Sequence, residues 1–261
     1  MHGRRVLKRS VAGGLLAVLL TASCTPFGPA ETLRDGSAKA TPLPIATPSA
    51  ASPDAVSAPE PARPRFDGRL SRLPASLRRR MVGTTWKPGC PVPLGDLRLL
   101  HFNYWNFDGV VTRGPMVVHE DVARDVLWLF RRLFRARFPI KRVALAREFV
   151  PAEFEPVTYT RRSVTAAFNC RPVILPSGPT GEFSNHSYGM AVDINPIQNP
   201  YVRADGFYRT RASRPFIDRS RRRKGMIHDG DVVVRSFAAI GWTWGGHWSG
   251  DKDYMHFDVR G

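Results

Sequence analysis

Ser184-Asn185-His186-Ser187-Tyr188-Gly189-Met190-Ala191-Val192-Asp193 reads S-x-H-x-x-G-x-A-x-D. His186 and Asp193 offer a neutral imidazole nitrogen and a carboxylate oxygen, the donors that hold a divalent metal. Gly189 breaks helix, and Met190 to Ile194 reads as a short buried strand that Pro196 ends. His186 is then expected on a loop and Asp193 on the adjoining strand, so that two ligands seven residues apart converge. A third donor comes late, in Asp253-Tyr254-Met255-His256. A catalytic metal needs three protein ligands, an open position and a nearby base. His186, Asp193 and His256, with Asp253 beside them, meet that requirement on paper. His247 is the competing ligand.

Outward from this stretch, Pro176, Gly178, Pro179 and Gly181 mark a loop before the motif. Thr165 to Cys170 is expected near a second helix or turn. Residues 197–230 are polar and basic, with Arg219, Arg221, Arg222, Arg223 and Lys224 clustered, and read as an exposed insertion. Asp231 is placed to cap a helix through Val232, Val233, Phe237 and Ile240, with Gly241 just past its end. Tyr254 to Val259 alternates like a strand, with Tyr254, His256 and Asp258 on one face and Met255, Phe257 and Val259 on the other.

Upstream, Leu97 to Tyr104 is aromatic and aliphatic. Asp108-Gly109 is a hairpin signal, and Val110 to His119 is the return strand. Val122, Val126, Leu129, Phe130, Leu133 and Phe134 recur at helical spacing, with arginines largely off the stripe. The fold class expected is α+β: a small antiparallel sheet with helices packed against it and the metal at the sheet edge.

The chain has 261 residues, 43% of them hydrophobic, and a formal charge of +17. That charge favours anionic partners and says nothing about fold. Arg4, Arg5, Lys8 and Arg9 precede an apolar run from Val11 to Leu20, the pattern of a signal peptide over residues 1–24. Leu20-Thr21-Ala22-Ser23-Cys24 is similar to a bacterial lipobox, with Thr21 where that motif most often has Leu, which implies export and a lipid anchor at Cys24; the alternative is ordinary cleavage after a small residue, leaving a secreted protein without an anchor. The domain would then lie at the outer face of the cytoplasmic membrane or in the cell wall. With Cys24 set aside, Cys90 and Cys170 remain as a pair in an oxidising compartment, and a disulfide between them is expected. Residues 25–69 are rich in Pro, Ala and Ser and read as a disordered linker. A folded domain over 70–261 follows.

Three separated motifs carry a resemblance: Ala167 to Arg171 (A-F-N-C-R), Ser184 to Pro196, and Asp253 to Phe257 (D-Y-M-H-F). Together they resemble the zinc D-Ala-D-Ala metallopeptidase family. That family includes D-alanyl-D-alanine carboxypeptidases, D-Ala-D-Ala dipeptidases and L-alanyl-D-glutamate endopeptidases. The resemblance implies a D,D-peptidase-like fold with zinc (Zn2+) on His186, Asp193 and His256. It makes Asp253 the general base, where many members have Glu; Asp251 is the alternative. It gives Arg171 the developing oxyanion or the substrate carboxylate, with Arg161 and Arg162 close by in sequence. Ser184 would contact substrate or cap the loop. His247, if not a ligand, is expected to contact substrate or to support the ligands from behind.

The function expected is hydrolysis of peptidoglycan stem peptides by a monomeric, exported peptidase. The alternatives are a catalytically silent zinc-containing wall-binding lipoprotein, and a polyanion binder using the arginine clusters. Nucleic acid fits neither export nor any motif present. No G-x-S-x-G elbow is present, and Cys170 has no partnered Cys-His signature.

Overall fold

The computed structural model describes residues 64–146, 162–175 and 178–259. The chain divides into two units, Met1–Pro59 and Glu60–Gly261, and every described residue falls in the second. The signal peptide, Cys24, most of the linker and Arg161 lie outside the described residues.

The first layer is an antiparallel sheet of β1 (Gly68–Arg72), β2 (Leu97–Trp105) and β3 (Val111–His119), in that order. Strand β1 starts two residues upstream of the boundary drawn from composition. Helix α1 (Ala75–Met81) lies between β1 and β2 and buries Leu77 and Met81. The Asp108-Gly109 turn forms because the Asn106 side chain accepts from the backbone N–H groups of Asp108 and Val110. Gly109 supplies the positive φ of 75°.

Helix α2 (Glu120–Arg135) packs across this sheet. His119 caps it by accepting from Asp121 N, and Glu120 and Asp121 sit in the first turn, where carboxylates complement the helix dipole. Its buried stripe, Val122, Val126, Leu129, Phe130 and Leu133, meets Leu100, Phe102, Met116 and Val118 of the sheet. Phe102 and Phe130 stack with ring centroids 4.2 Å apart.

Strands β4 (Arg142–Val143) and β5 (Val164–Thr165) pair in parallel. A turn at 162–163 precedes β5, as expected near Thr165 to Cys170, and residues 166–171 run on without helix. Their backbone pairs with distant segments: Phe168 N donates to Val117 O, Asn169 N to His186 O and Cys170 N to Thr85 O. Strands β6 (Pro172–Leu175) and β7 (Gly178–Phe183) form an antiparallel pair. Cys90 and Cys170 are disulfide-bonded, with Cα atoms 6.0 Å apart.

The second sheet holds the motif. Strand β8 (Ala191–Asp193) is an edge, β9 (Tyr201–Val202) starts the insertion, and helix α3 (Val232–Ala238) follows it. Strands β10 (Thr243–Trp244), β11 (Lys252–Asp253) and β12 (His256–Asp258) complete the chain. The sheet order is β10-β12-β8, all antiparallel, while β11 pairs with β9. Asp231 caps α3 through Val233 N and Val234 N. Phe237 of α3 stacks on Phe257 at 3.9 Å, tying this sheet into the same core as α2.

The insertion is not simply exposed. Gln198, Asn199, Ser213, Met226 and Ile227 are buried. Asn199 donates to Ile194 O and Gly225 O and accepts from Ile227 N. Arg219 lies 4.2 Å over the Tyr254 ring, and its guanidinium donates to Gln198 O and Phe216 O. A polar composition hid this because the segment is held by buried hydrogen bonds rather than by an apolar stripe.

Candidate metal centre

Ser184 starts the local fold. Its hydroxyl accepts from His186 N at 3.4 Å and opens a 3-10 turn over Asn185–Tyr188. Gly189 ends the turn with φ 68°, where a Cβ would stand 2.6 Å from His119 N, so the close approach to α2's N-terminus needs glycine. The chain then enters β8. Asp193 is the register partner of His256 on β12.

Three donor atoms converge. Asp193 Oδ1 lies 3.3 Å from His186 Nε2 and 3.1 Å from His256 Nδ1. One donor atom from each residue falls within 4.8 Å of the others, and all three residues are buried. The remaining ring nitrogens are engaged elsewhere. His186 Nδ1 lies 2.7 Å from Ala167 O, and His256 Nε2 lies 3.3 Å from Asp258 Oδ2. His186 thus donates its Nδ1–H to a carbonyl and His256 its Nε2–H to a carboxylate, leaving Nε2 and Nδ1 to face the centre, the usual arrangement behind a metal-ligating histidine. His186 Nε2 is buried and makes no hydrogen bond. A buried acceptor without a partner costs free energy, and a cation at this point would satisfy it. Two imidazoles and one carboxylate suit zinc and leave a coordination position open.

The electrostatics follow from this crowding. Burial alone would raise Asp193, but His186 and His256 outweigh it and hold the carboxyl far below the usual range. Burial would lower His256, yet Asp193 and Asp258 push it up to about 10. Burial raises Asp253 to about 7; His256 and Arg171 oppose the rise and Asp193 adds to it. Burial would also raise Asp258, but His256, Asn185 and Thr243 bring it down to about 2.

The centre opens into a cleft of about 440 Å³. Ser184, His186, Asp193, Asp253, His256 and Arg171 all line it. Asp253 Oδ1 is buried and makes no hydrogen bond. Arg171 is held through its backbone: its N–H donates to Ser187 Oγ at 2.8 Å, and its carbonyl accepts from Ser187 Oγ and Ser184 N. Asp251 is engaged instead with the Tyr201 hydroxyl and Ala204 N. His247, expected beside substrate, does not line the cleft. It is exposed and pairs with Asp229 at 2.8 Å. The next residue, Trp248, lines the cleft in its stead, with its ring 5.6 Å from that of His256.

Residues 177–259 match an M15 peptidase family model described as D-alanyl-D-alanine carboxypeptidase. The match covers 83 of the 261 residues and likens this segment to M15 peptidases. No curated protein and no solved structure matches the chain. The matched segment takes in His186, Asp193, His256 and Asp253, and the match supports a hydrolase; Arg171 and both bonded cysteines lie before it. Among the described residues no helix is long and apolar enough to cross a membrane.

Sequence reasoning gave no role in the centre to Asp258, Asn185, Tyr201, Trp248 or Arg209. The period-two alternation put Asp258 on the face of His256, which was the available signal. Tyr254 and Met255 break that alternation: they form a turn between β11 and β12, and Met255 rather than Tyr254 reaches the cleft.

Proposed function

We propose that this chain is a zinc-dependent peptidase that hydrolyses peptide bonds in peptidoglycan stem peptides, as a carboxypeptidase or an endopeptidase. The observation that carries this reading is the convergence of His186, Asp193 and His256 in the wall of a cleft that also holds Asp253. The family description supports the substrate class. Export, with Cys24 as a lipid anchor, is the companion proposal, since such peptides lie outside the cytoplasmic membrane.

His186 Nε2, Asp193 Oδ1 and His256 Nδ1 would hold the zinc. When bound, the metal supplies Lewis acidity, which polarises a carbonyl and makes water acidic near neutral pH. Asp253 is the proton carrier. Burial keeps its carboxylate basic, and Oδ1 is unengaged. It takes a proton from the attacking water and gives it to the leaving amine nitrogen as the C–N bond breaks. Arg171 donates to the carbonyl oxygen as negative charge develops there. Its guanidinium stays charged throughout. Ser184 holds the His186 turn and offers its hydroxyl to the bound peptide.

The test is hydrolysis of a synthetic stem pentapeptide by the zinc-loaded protein. Cleavage should stop with a chelator, return with added zinc, and be lost in Asp253→Asn. Cleavage that persists in the chelated protein would sink the reading. Tight binding of the peptide without turnover would favour a silent wall-binding protein instead.

A further inference from the structure

Two arginines line the cleft, Arg171 and Arg209, and the chemistry proposed above uses the first. The second lies on the basic insertion. Its backbone is tied to the base. Tyr201 on β9 is the register partner of Asp253 on β11, the neighbouring Val202 bridges to Tyr208, and Arg209 comes next. Three other arginines of the insertion are engaged, while Arg211, Arg214, Arg222 and Arg223 do not line the cleft. Arg203 pairs with Asp205 at 2.7 Å, Arg221 pairs with Asp218 at 2.9 Å, and Arg219 donates to backbone carbonyls. Arg209 makes no hydrogen bond or ion pair among the described residues, although Glu182 lines the same cleft. Arg209 is exposed, and the cleft it lines also includes Val173, Ile174, Phe183 and Trp248, which carry no acceptor side chain. A planar, permanently charged fork in a partly apolar cleft suits bidentate recognition of a carboxylate.

We propose that Arg209 is a specificity-determining residue that binds a carboxylate of the peptide substrate. This inference rests on the peptidase reading. The carboxylate has two sources: the free C-terminus of the peptide, or an internal acidic residue. The first would make the cleft a carboxypeptidase's, and the second would leave room for chain beyond the scissile bond.

Four synthetic stem-type peptides separate these cases: C-terminal acid or C-terminal amide, each with its internal acidic residue as the carboxylic acid or the carboxamide. Steady-state kinetics are measured for the zinc-loaded wild type, Arg209→Ala and Arg209→Lys. The wild type should prefer the acid form of one pair. Arg209→Ala should lower kcat/KM on that form roughly 10- to 100-fold, the loss expected for a hydrogen bond to a charged group, chiefly through KM. It should leave the matching amide form nearly unchanged, so the preference collapses. Arg209→Lys should fall between, keeping charge without the fork. Equal losses on acid and amide forms, or none on either, would overturn the role of Arg209 while leaving the peptidase reading intact. No cleavage of any of the four by wild type would overturn the peptidase reading and the carboxylate site with it.

Discussion

His256 and Asp193 are 63 residues apart in sequence and face each other across β12 and β8, with His256 Nδ1 3.1 Å from Asp193 Oδ1. Asp258 stands at the ring's other nitrogen, 3.3 Å from Nε2. Two carboxylates on one imidazole favour its protonated form, which is why its pKa rises to about 10 without metal.

On the proposed reading zinc must displace that proton, because a ligand nitrogen cannot also carry one. Calorimetric titration of the metal-free protein in buffers of different ionisation enthalpy should show release of about one proton per zinc between pH 7 and 9. Affinity should climb as pH rises. An affinity flat across this range would contradict the assignment of His256 as a ligand.

Asp258 orients His256 rather than touching the metal position itself. Its carboxylate also accepts from Asn185 Nδ2 at 2.7 Å and Thr243 Oγ1 at 2.9 Å, so it is fixed from three sides. Asp258→Asn should weaken zinc binding roughly 10- to 100-fold, as for other outer partners of ligating histidines. Circular dichroism should report an unchanged fold. Unaltered zinc affinity would mean the contact is incidental.

Asp253 should set the acid limb of the rate profile. A base works ionised, so kcat/KM should fall as pH drops through its pKa. Burial raises that pKa to about 7 without metal, and a bound cation pulls it back toward the ordinary carboxylate value of about 4. The limb belongs between these limits. Asp253→Asn should cut kcat by about 10²- to 10⁴-fold at unchanged zinc stoichiometry. A variant of near wild-type rate would move the base elsewhere.

The site was more legible in the sequence than its surroundings. His186, Asp193, His256 and Asp253 stand in short motifs whose residue types announce metal chemistry, and the stripe of α2 announced itself by period. His247 was expected beside the metal or the substrate, while only the fold reveals Asp229 at its ring and Trp248 in the cleft. The insertion misled for a different reason. Asn199 and Arg219 anchor it through long-range hydrogen bonds, which leave no periodic trace in composition. Arg209 was hidden with it, one arginine among many until the cleft singled it out.

The Cys90–Cys170 bond joins the segment after α1 to the residue preceding Arg171, across a separation of 80 residues. Replacing both cysteines by serine should lower unfolding free energy by about 2–4 kcal/mol, read from urea melts. Arg171 retains its backbone tie to Ser187, so at temperatures where the variant stays folded its kcat should stay within a few-fold of wild type. A stability equal to wild type would show that the crosslink constrains little.

The most direct test of the central claim is mass spectrometry of muropeptides after digestion of purified peptidoglycan by the zinc-loaded protein, beside His186→Ala. The wild type should release or shorten stem peptides at one defined bond, and His186→Ala should leave the muropeptide profile of undigested material. Identical profiles from the two proteins would contradict a peptidase built on His186, Asp193 and His256.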